Sequence, residues 1–322
     1  MPAPQPATPP VPRTAEPDPL ITRHLDHLRV SAVIAFADDL FAGLTSHDMV
    51  VLTGDISCAD LLTNHLRMLD EAAQRACPDT GGVPWAFVLG NHDYYGGRIA
   101  DVRVDVRAFE MACGRAVWLG AGPYHVWPGK CDSNATTVLV GVDGWADARA
   151  GNPNTPVLMS DFRLIEDLAD EMSPGAVLNW RRGCDRSMLH AKLRGLADAE
   201  ADMLQLQIHR ALAWPPMCEK VERVVVATHL PPWSSAAWHD GRLSNQDWRT
   251  YFVSVAVGRV IEGATRARPD VKFAVLCGHT HGGGVVDLLP NLRCTTGAAE
   301  YESPRVAATF DLGEPDAGGL FA

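Results

Sequence analysis

One event recurs along this 322-residue chain and constrains its fold more than any other feature. A short apolar run ends at a turn rich in Gly, Asp, Asn or His. The instances are Met49–Thr53 before Gly54-Asp55, Trp85–Leu89 before Gly90-Asn91-His92-Asp93, and Thr137–Val142 before Asp143-Gly144. Arg223–Ala227 before Thr228-His229 and Val271–Cys277 before Gly278-His279-Thr280-His281 complete the series. Unbroken apolar runs of this length suit strands buried on both faces. Further strands are expected at Val285–Leu289, Leu292–Thr296 and Val306–Leu312. Early strands alternate with helical stretches and late ones follow each other closely, which predicts an α/β body with a more antiparallel second half.

Helices are expected over Leu20–Ser46, Asp161–Met172 and Ser187–Ala213, the last stopped by Trp214-Pro215-Pro216 because proline cannot continue the hydrogen-bond ladder. Residues 160–220 lack titratable clusters at ligand spacing and read as a helical insertion without chemistry. Residues 1–19 carry eight prolines and read as a disordered segment, 20–312 as the folded domain, and 313–322 as a flexible tail.

Composition narrows the function. The chain is 47% hydrophobic and 21% charged, with a net charge of −11. That argues against wholesale disorder, strong nucleic-acid binding and an anionic membrane surface as partner. No apolar run approaches the roughly 20 residues of a membrane helix. The proline-rich start lacks a signal-peptide pattern. The eight cysteines form no C-x-x-C pair, so reduced thiols in a cytoplasmic protein are expected.

The chemistry falls at the strand ends. Asp55, Asn91, His229, His279 and His281 offer one carboxylate, one amide oxygen and three imidazoles. Ligands gather beyond the carboxyl ends of strands in open α/β sheets, so residues distant in sequence can converge there. A mixed oxygen and nitrogen set suits Mn, Fe or Zn better than Ca or Mg.

With these motifs the chain resembles the calcineurin-like metallophosphoesterases over roughly residues 30–312. The resemblance implies a four-layer α/β/β/α sandwich with a two-metal centre at one edge. It also implies small phosphoester substrates attacked by a metal-activated hydroxide. By that analogy Asp55 bridges two ions, Asn91, His229 and His279 complete one site, and His281 serves the other. His92 then faces the leaving-group oxygen as general acid or transition-state stabiliser. Asp93 either orients His92 or is a turn residue.

The family's first motif, Asp-x-His after a first strand, has no counterpart before Asp55. Asp26-His27, Asp38-Asp39-Leu40 and His47-Asp48 each lack the pattern, and His24 precedes its aspartate. The fold is therefore expected without its first strand, either because the chain starts downstream of it, as from a misassigned start codon, or because the motif is lost. About one tightly held metal and impaired turnover are expected. The competing readings are a metal-binding scaffold without catalysis and a metal-dependent amide or lactone hydrolase. Trp233, Trp238 and Trp248 are either packing anchors or walls of a substrate pocket. Trp145 with Asp143 and Asp147 is a candidate rim, and Tyr94-Tyr95, Asn291, Glu300 and Tyr301 are further candidates.

Overall fold

The structure is a computed structural model that describes residues 30–122, 125–127, 136–173, 175–213, 221–300, 303–312 and 316–321. The proline-rich segment, the start of the first expected helix with His24 and Asp26-His27, Trp214-Pro215-Pro216 and Tyr301 lie outside them.

Two sheets form the centre. The smaller contains β1 (Val50–Thr53), β2 (Trp85–Val88) and β3 (Ala116–Trp118), parallel and in that order. The larger contains β4 (His125–Trp127), β5 (Thr136–Val142), β6 (Val221–Thr228), β9 (Lys272–Cys277), β10 (Gly284–Leu289) and β11 (Leu292–Thr296). Its order is β10-β11-β9-β6-β5-β4. The pairs β5/β6, β6/β9 and β9/β11 are parallel, and antiparallel pairing is confined to β10/β11 and β4/β5 at the two margins. The second half is thus more parallel than expected, because its apolar runs occupy central positions covered on both faces. A two-residue pair, β7 (Trp238–His239) and β8 (Arg242–Leu243), stands apart.

Side-chain alternation builds the layers. On β2, Trp85 and Phe87 face helices, where they meet Leu62, Leu66 and Leu69 of α2 (Ala59–Ala76) and Val106 and Phe109 of α3 (Ile99–Cys113). Ala86 and Val88 point the other way, toward Leu139, Val225, Ala227 and Ala274 of the larger sheet. On that sheet Val224, Val226, Phe273 and Val275 face outward. There they pack on Leu204 and Ile208 of α7 (Ser187–Leu212) and Val257 and Ile261 of α9 (Val255–Ala267). Period-two alternation on two stacked sheets thus gives the four-layer α/β/β/α sandwich. The alanines between the sheets permit their close approach.

Helix α1 (Val30–Phe41) also packs on α2, burying Ala37 and Phe41. Asp38, Asp39, His47 and Asp48 are exposed, as solvated positions would be. Strand β1 has one strand neighbour among the described residues, β2, so it forms a sheet edge.

Three sequence expectations need correction. Residues 306–312 form no strand and are mostly exposed. The expected helix over Asp161–Met172 resolves into two single turns, α4 (Asp161–Leu164) and α5 (Glu166–Ala169), broken at Ile165 with an extended φ of −98° and ψ of 115°. Of the segment read as a flexible tail, Leu320 and Phe321 are buried between the sheets at 3% and 1% exposure. Two large apolar side chains gain more by filling that layer than by solvation.

The helical layer carries a pH-sensitive group. His190 on α7 is buried, and its Nε2 lies 3.1 Å from the Tyr251 hydroxyl. Burial, then Arg194 and Arg186, lower its pKa to about 4. Between the unfolded value near 6.5 and that folded value, the unfolded chain takes up a proton the folded chain refuses. This contribution is therefore complete above pH 6.5 and lost as pH falls toward 4, reaching up to about 3 kcal/mol. Urea midpoints measured from pH 7 to 4.5 should fall more steeply for the parent than for His190→Gln; parallel curves would refute the assignment. Among the described residues no helix is long and apolar enough to cross a membrane.

Candidate metal centre

The loops after β1, β2, β6 and β9 meet at one rim of the two sheets. Asp55, His279 and His281 hold left-handed backbones, with φ of 56°, 64° and 61°. Non-glycine residues adopt this region at a cost, and such strain concentrates at functional sites. Gly54 (φ 96°) and Gly90 permit the loops to touch. A Cβ at Gly54 would stand 2.6 Å from both the Gly90 nitrogen and His229 Nδ1, and one at Gly90 would overlap the Asp55 carboxylate and amide nitrogen.

Four of the five expected metal-binding side chains form one contact set. His229 Nε2 lies 3.2 Å from Asp55 Oδ1, 3.0 Å from Asn91 Oδ1 and 3.2 Å from His279 Nδ1. His279 Nδ1 also lies 3.0 Å from Asn91 Oδ1. The remaining ring nitrogens have backbone partners. His229 Nδ1 lies 2.7 Å from the Thr53 carbonyl, and His279 Nε2 lies 3.3 Å from that of Tyr251. In the neutral rings, the carbonyl partners would fix Nδ1–H on His229 and Nε2–H on His279, so that the other nitrogens face the set with lone pairs once His229 gives up its second proton.

Such a group fits one cation. Donors around a single ion at bonds of 2.0–2.2 Å stand about 2.8–3.6 Å from each other, and the contacts here run from 3.0 to 3.2 Å. Among the described residues no group of three or more His, Cys, Asp or Glu side chains is by itself arranged for a metal ion. The four-donor set counts the amide oxygen of Asn91 as well.

The electrostatics agree. Burial would raise the Asp55 pKa, but His229 first and then His92 outweigh it and hold the carboxyl well below its usual range. Burial would lower His229, yet Asp55 raises it to about 9. His279 is held well below its usual value by burial and by His229. In the set without an ion, the positive charge thus rests on His229 and not on His279.

His281 lies beside the set. Burial lowers its pKa, and it feels the Asp55 and His92 charges. His92 donates its backbone N–H to Asp55 Oδ1 at 3.0 Å and stacks its half-buried ring on Tyr95, with centroids 4.5 Å apart.

Asp93 plays the turn role. It is fully buried and accepts from the Ser57 N–H at 2.6 Å and the Gly90 N–H at 2.8 Å, clamping the loop after β1 to the loop after β2. Its two oxygens are thereby aimed at backbone, and burial raises its pKa to about 8. Trp233 is a packing anchor: its Nε1 donates to Glu262 Oε1 on α9 at 2.8 Å, and its ring joins the outer core of the larger sheet. Phe252 stands edge-on to the His279 ring with centroids 5.1 Å apart, and Trp248 and His239 pack on it.

The rim candidate Asp143 is instead a buried hub. It accepts from the Leu89 N–H and Trp118 Nε1, each at 2.9 Å, from the Tyr94 hydroxyl at 2.8 Å and from Arg103 at 3.0 Å. Arg103 also pairs with Glu200. Asp147 accepts the Ala256 N–H at 2.9 Å. Asn291 donates to the Val271 carbonyl at 2.8 Å, and exposed Glu300 pairs with Arg305. Sequence reasoning missed Asp161, whose carboxylate meets Asn91.

Four strand-end loops thus bring a compact set of nitrogen and oxygen side-chain atoms together at one rim of the two sheets. The family model of the calcineurin-like phosphoesterases matches residues 27–283. The chain belongs to that family, which implies divalent metal ions and small phosphoester substrates. Among solved structures it is similar to a dimetal phosphatase from Danio rerio, at 14% identity over 80% of this chain and 88% of that one. The TM-score is 0.31, too loose a superposition to carry residues or activity across. No curated protein sequence matches the chain.

Proposed function

We propose that this chain hydrolyses phosphoesters at a metal site formed by Asp55, Asn91, His229 and His279. The four-donor contact set carries this reading. Its mixture of imidazole nitrogen and hard oxygen favours Mn, Fe or Zn. When bound, such an ion supplies Lewis-acid polarisation of the phosphoryl oxygen and acidifies water.

The chain's own residues then divide the work. Asp55 and Asn91 present oxygens from opposite loops. The carbonyls of Thr53 and Tyr251 hold the two imidazoles in their tautomers. His92, stacked on Tyr95, is assigned to give a proton to the departing ester oxygen. His281 lies beyond the tight set and is proposed to serve a second, weaker ion. One tightly held ion and modest turnover are the consequence. Six described cysteines are free thiols, including Cys277 and Cys294 at 3.8 Å, which supports a reducing, cytoplasmic setting.

The test combines metal analysis with hydrolysis of mono- and bis-nitrophenyl phosphate after loading with Mn, Fe or Zn. About one tightly retained ion per chain and slow release of nitrophenol are expected. His92→Ala should lower turnover by about 10²-fold with metal content unchanged. Hydrolysis of amide or lactone substrates without phosphoester turnover would replace this reading, and metal uptake with no turnover would leave a scaffold.

A further inference from the structure

The Asn91 amide must turn its oxygen, not its nitrogen, toward the two imidazoles. A side-chain amide has no intrinsic preference between these orientations, so its neighbours decide. Those neighbours are Asp161 and Tyr95. Asn91 Nδ2 donates to Asp161 Oδ1 at 2.8 Å and to the Tyr95 hydroxyl at 3.1 Å, and that hydroxyl donates to the same Asp161 oxygen at 2.6 Å. Asn91 and Tyr95 are buried, and Asp161 is at the buried limit with 9% exposure.

Asp161 is brought there by the helical insertion, and the insertion is fastened to the same loop. Gly96 N–H donates to the Leu164 carbonyl at 2.8 Å, and Ile99 N–H donates to Asp167 at 2.8 Å. Arg98 pairs with Glu166 and Asp170, each at 3.0 Å. Phe162, next to Asp161, meets the Tyr251 ring edge-on at 4.9 Å, and the Tyr251 carbonyl partners His279. One short segment therefore touches the supports of two expected ligands.

We propose that Asp161 is a positioning residue of the metal centre: with Tyr95 it locks the Asn91 amide so that only its oxygen faces His229 and His279. A carboxylate can accept the amide N–H₂ but has no proton to offer its oxygen, so the flipped orientation is excluded. The inference rests on the metal-site reading above. It also makes the insertion part of the site, although that insertion supplies no metal ligand.

Cobalt titration, followed by visible absorption and calorimetry, tests the idea without relying on turnover. Asp161→Ala should weaken cobalt binding by about 10–100-fold, the usual loss when a ligand's orienting partner is removed, and should alter the cobalt absorption bands. In Asn91→Asp/Asp161→Asn the carboxylate presents oxygen in either orientation and the new amide donates to it. This exchange should restore affinity to within a few-fold of the parent. Circular dichroism melts of both variants report folding separately.

If Asp161→Ala holds cobalt as tightly as the parent, the positioning role is wrong. If affinity falls only in step with melting temperature and the exchange restores nothing, Asp161 is merely packing and the proposal fails. If the parent itself takes up no cobalt, the metal-site reading falls first and this inference falls with it.

Discussion

His229→Ala should weaken tight metal binding by more than about 100-fold, since losing an orienting partner alone costs about 10–100-fold and here a direct donor is lost. His229 is the hub of the set, within 3.2 Å of Asp55, Asn91 and His279. Its loss also strips Asp55 of the cation that most lowers its pKa. Asp55 keeps 21% side-chain exposure, so solvent moderates the resulting destabilisation. Metal analysis after dialysis, with circular dichroism to confirm folding, measures the outcome. A variant that retains one ion per chain would place the tight site elsewhere.

Gly90→Ala should be strongly damaging for the addition of a single methyl group. The added Cβ would overlap Asp55 Oδ1 and the Asp55 amide nitrogen and lie 2.7 Å from His229 Cε1. Retreat is hindered, because the His92 N–H holds Asp55 Oδ1 and the Thr53 carbonyl holds the His229 ring. Overpacking at such a site costs about 2–4 kcal/mol and should also prise the metal donors apart. Gly43→Ala is the control. Its φ is 74°, but nothing lies within 4 Å of the added methyl, so it should carry only the left-handed penalty of about 1 kcal/mol. Gly90 itself is not left-handed, so a loss no larger than that of Gly43→Ala, read from urea midpoints, would show that the crowding is relieved without cost.

The motifs were readable because each sits directly after a strand. Val50–Thr53, Trp85–Val88, Val221–Thr228 and Lys272–Cys277 all deliver their following residues to one rim. Local apolar runs announce such strands, and the position of Asp, Asn or His after them announces the site. Asp161 gave no such signal. It lies 70 residues from Asn91, on a single helical turn, and only the docking of the insertion reveals its partner. Asp93 and Trp233 stayed open in the sequence for a related reason. A residue's identity does not say which way its side chain points, and here the Asp93 oxygens face backbone N–H groups while the Trp233 nitrogen faces Glu262.

The last residues teach the same lesson from the opposite side. Residues 306–312 are apolar enough to suggest a strand, yet they pair with none. Leu320 and Phe321 follow a polar stretch and are nonetheless buried between the sheets. Strand formation needs a partner edge, and burial needs a vacant layer; neither is a local property of the chain.

By itself, then, the sequence indicated the longer strands, the α/β class and the candidate donor side chains at the strand ends, since these follow from periodicity and turn chemistry over a few residues. Only the tertiary structure decided that four of the donors form one tight set with His281 beside it, which amide orientation they share, and which carboxylates support them. Those outcomes depend on contacts between segments tens to hundreds of residues apart, whose geometry exists only once the sheets and the helical layer have packed.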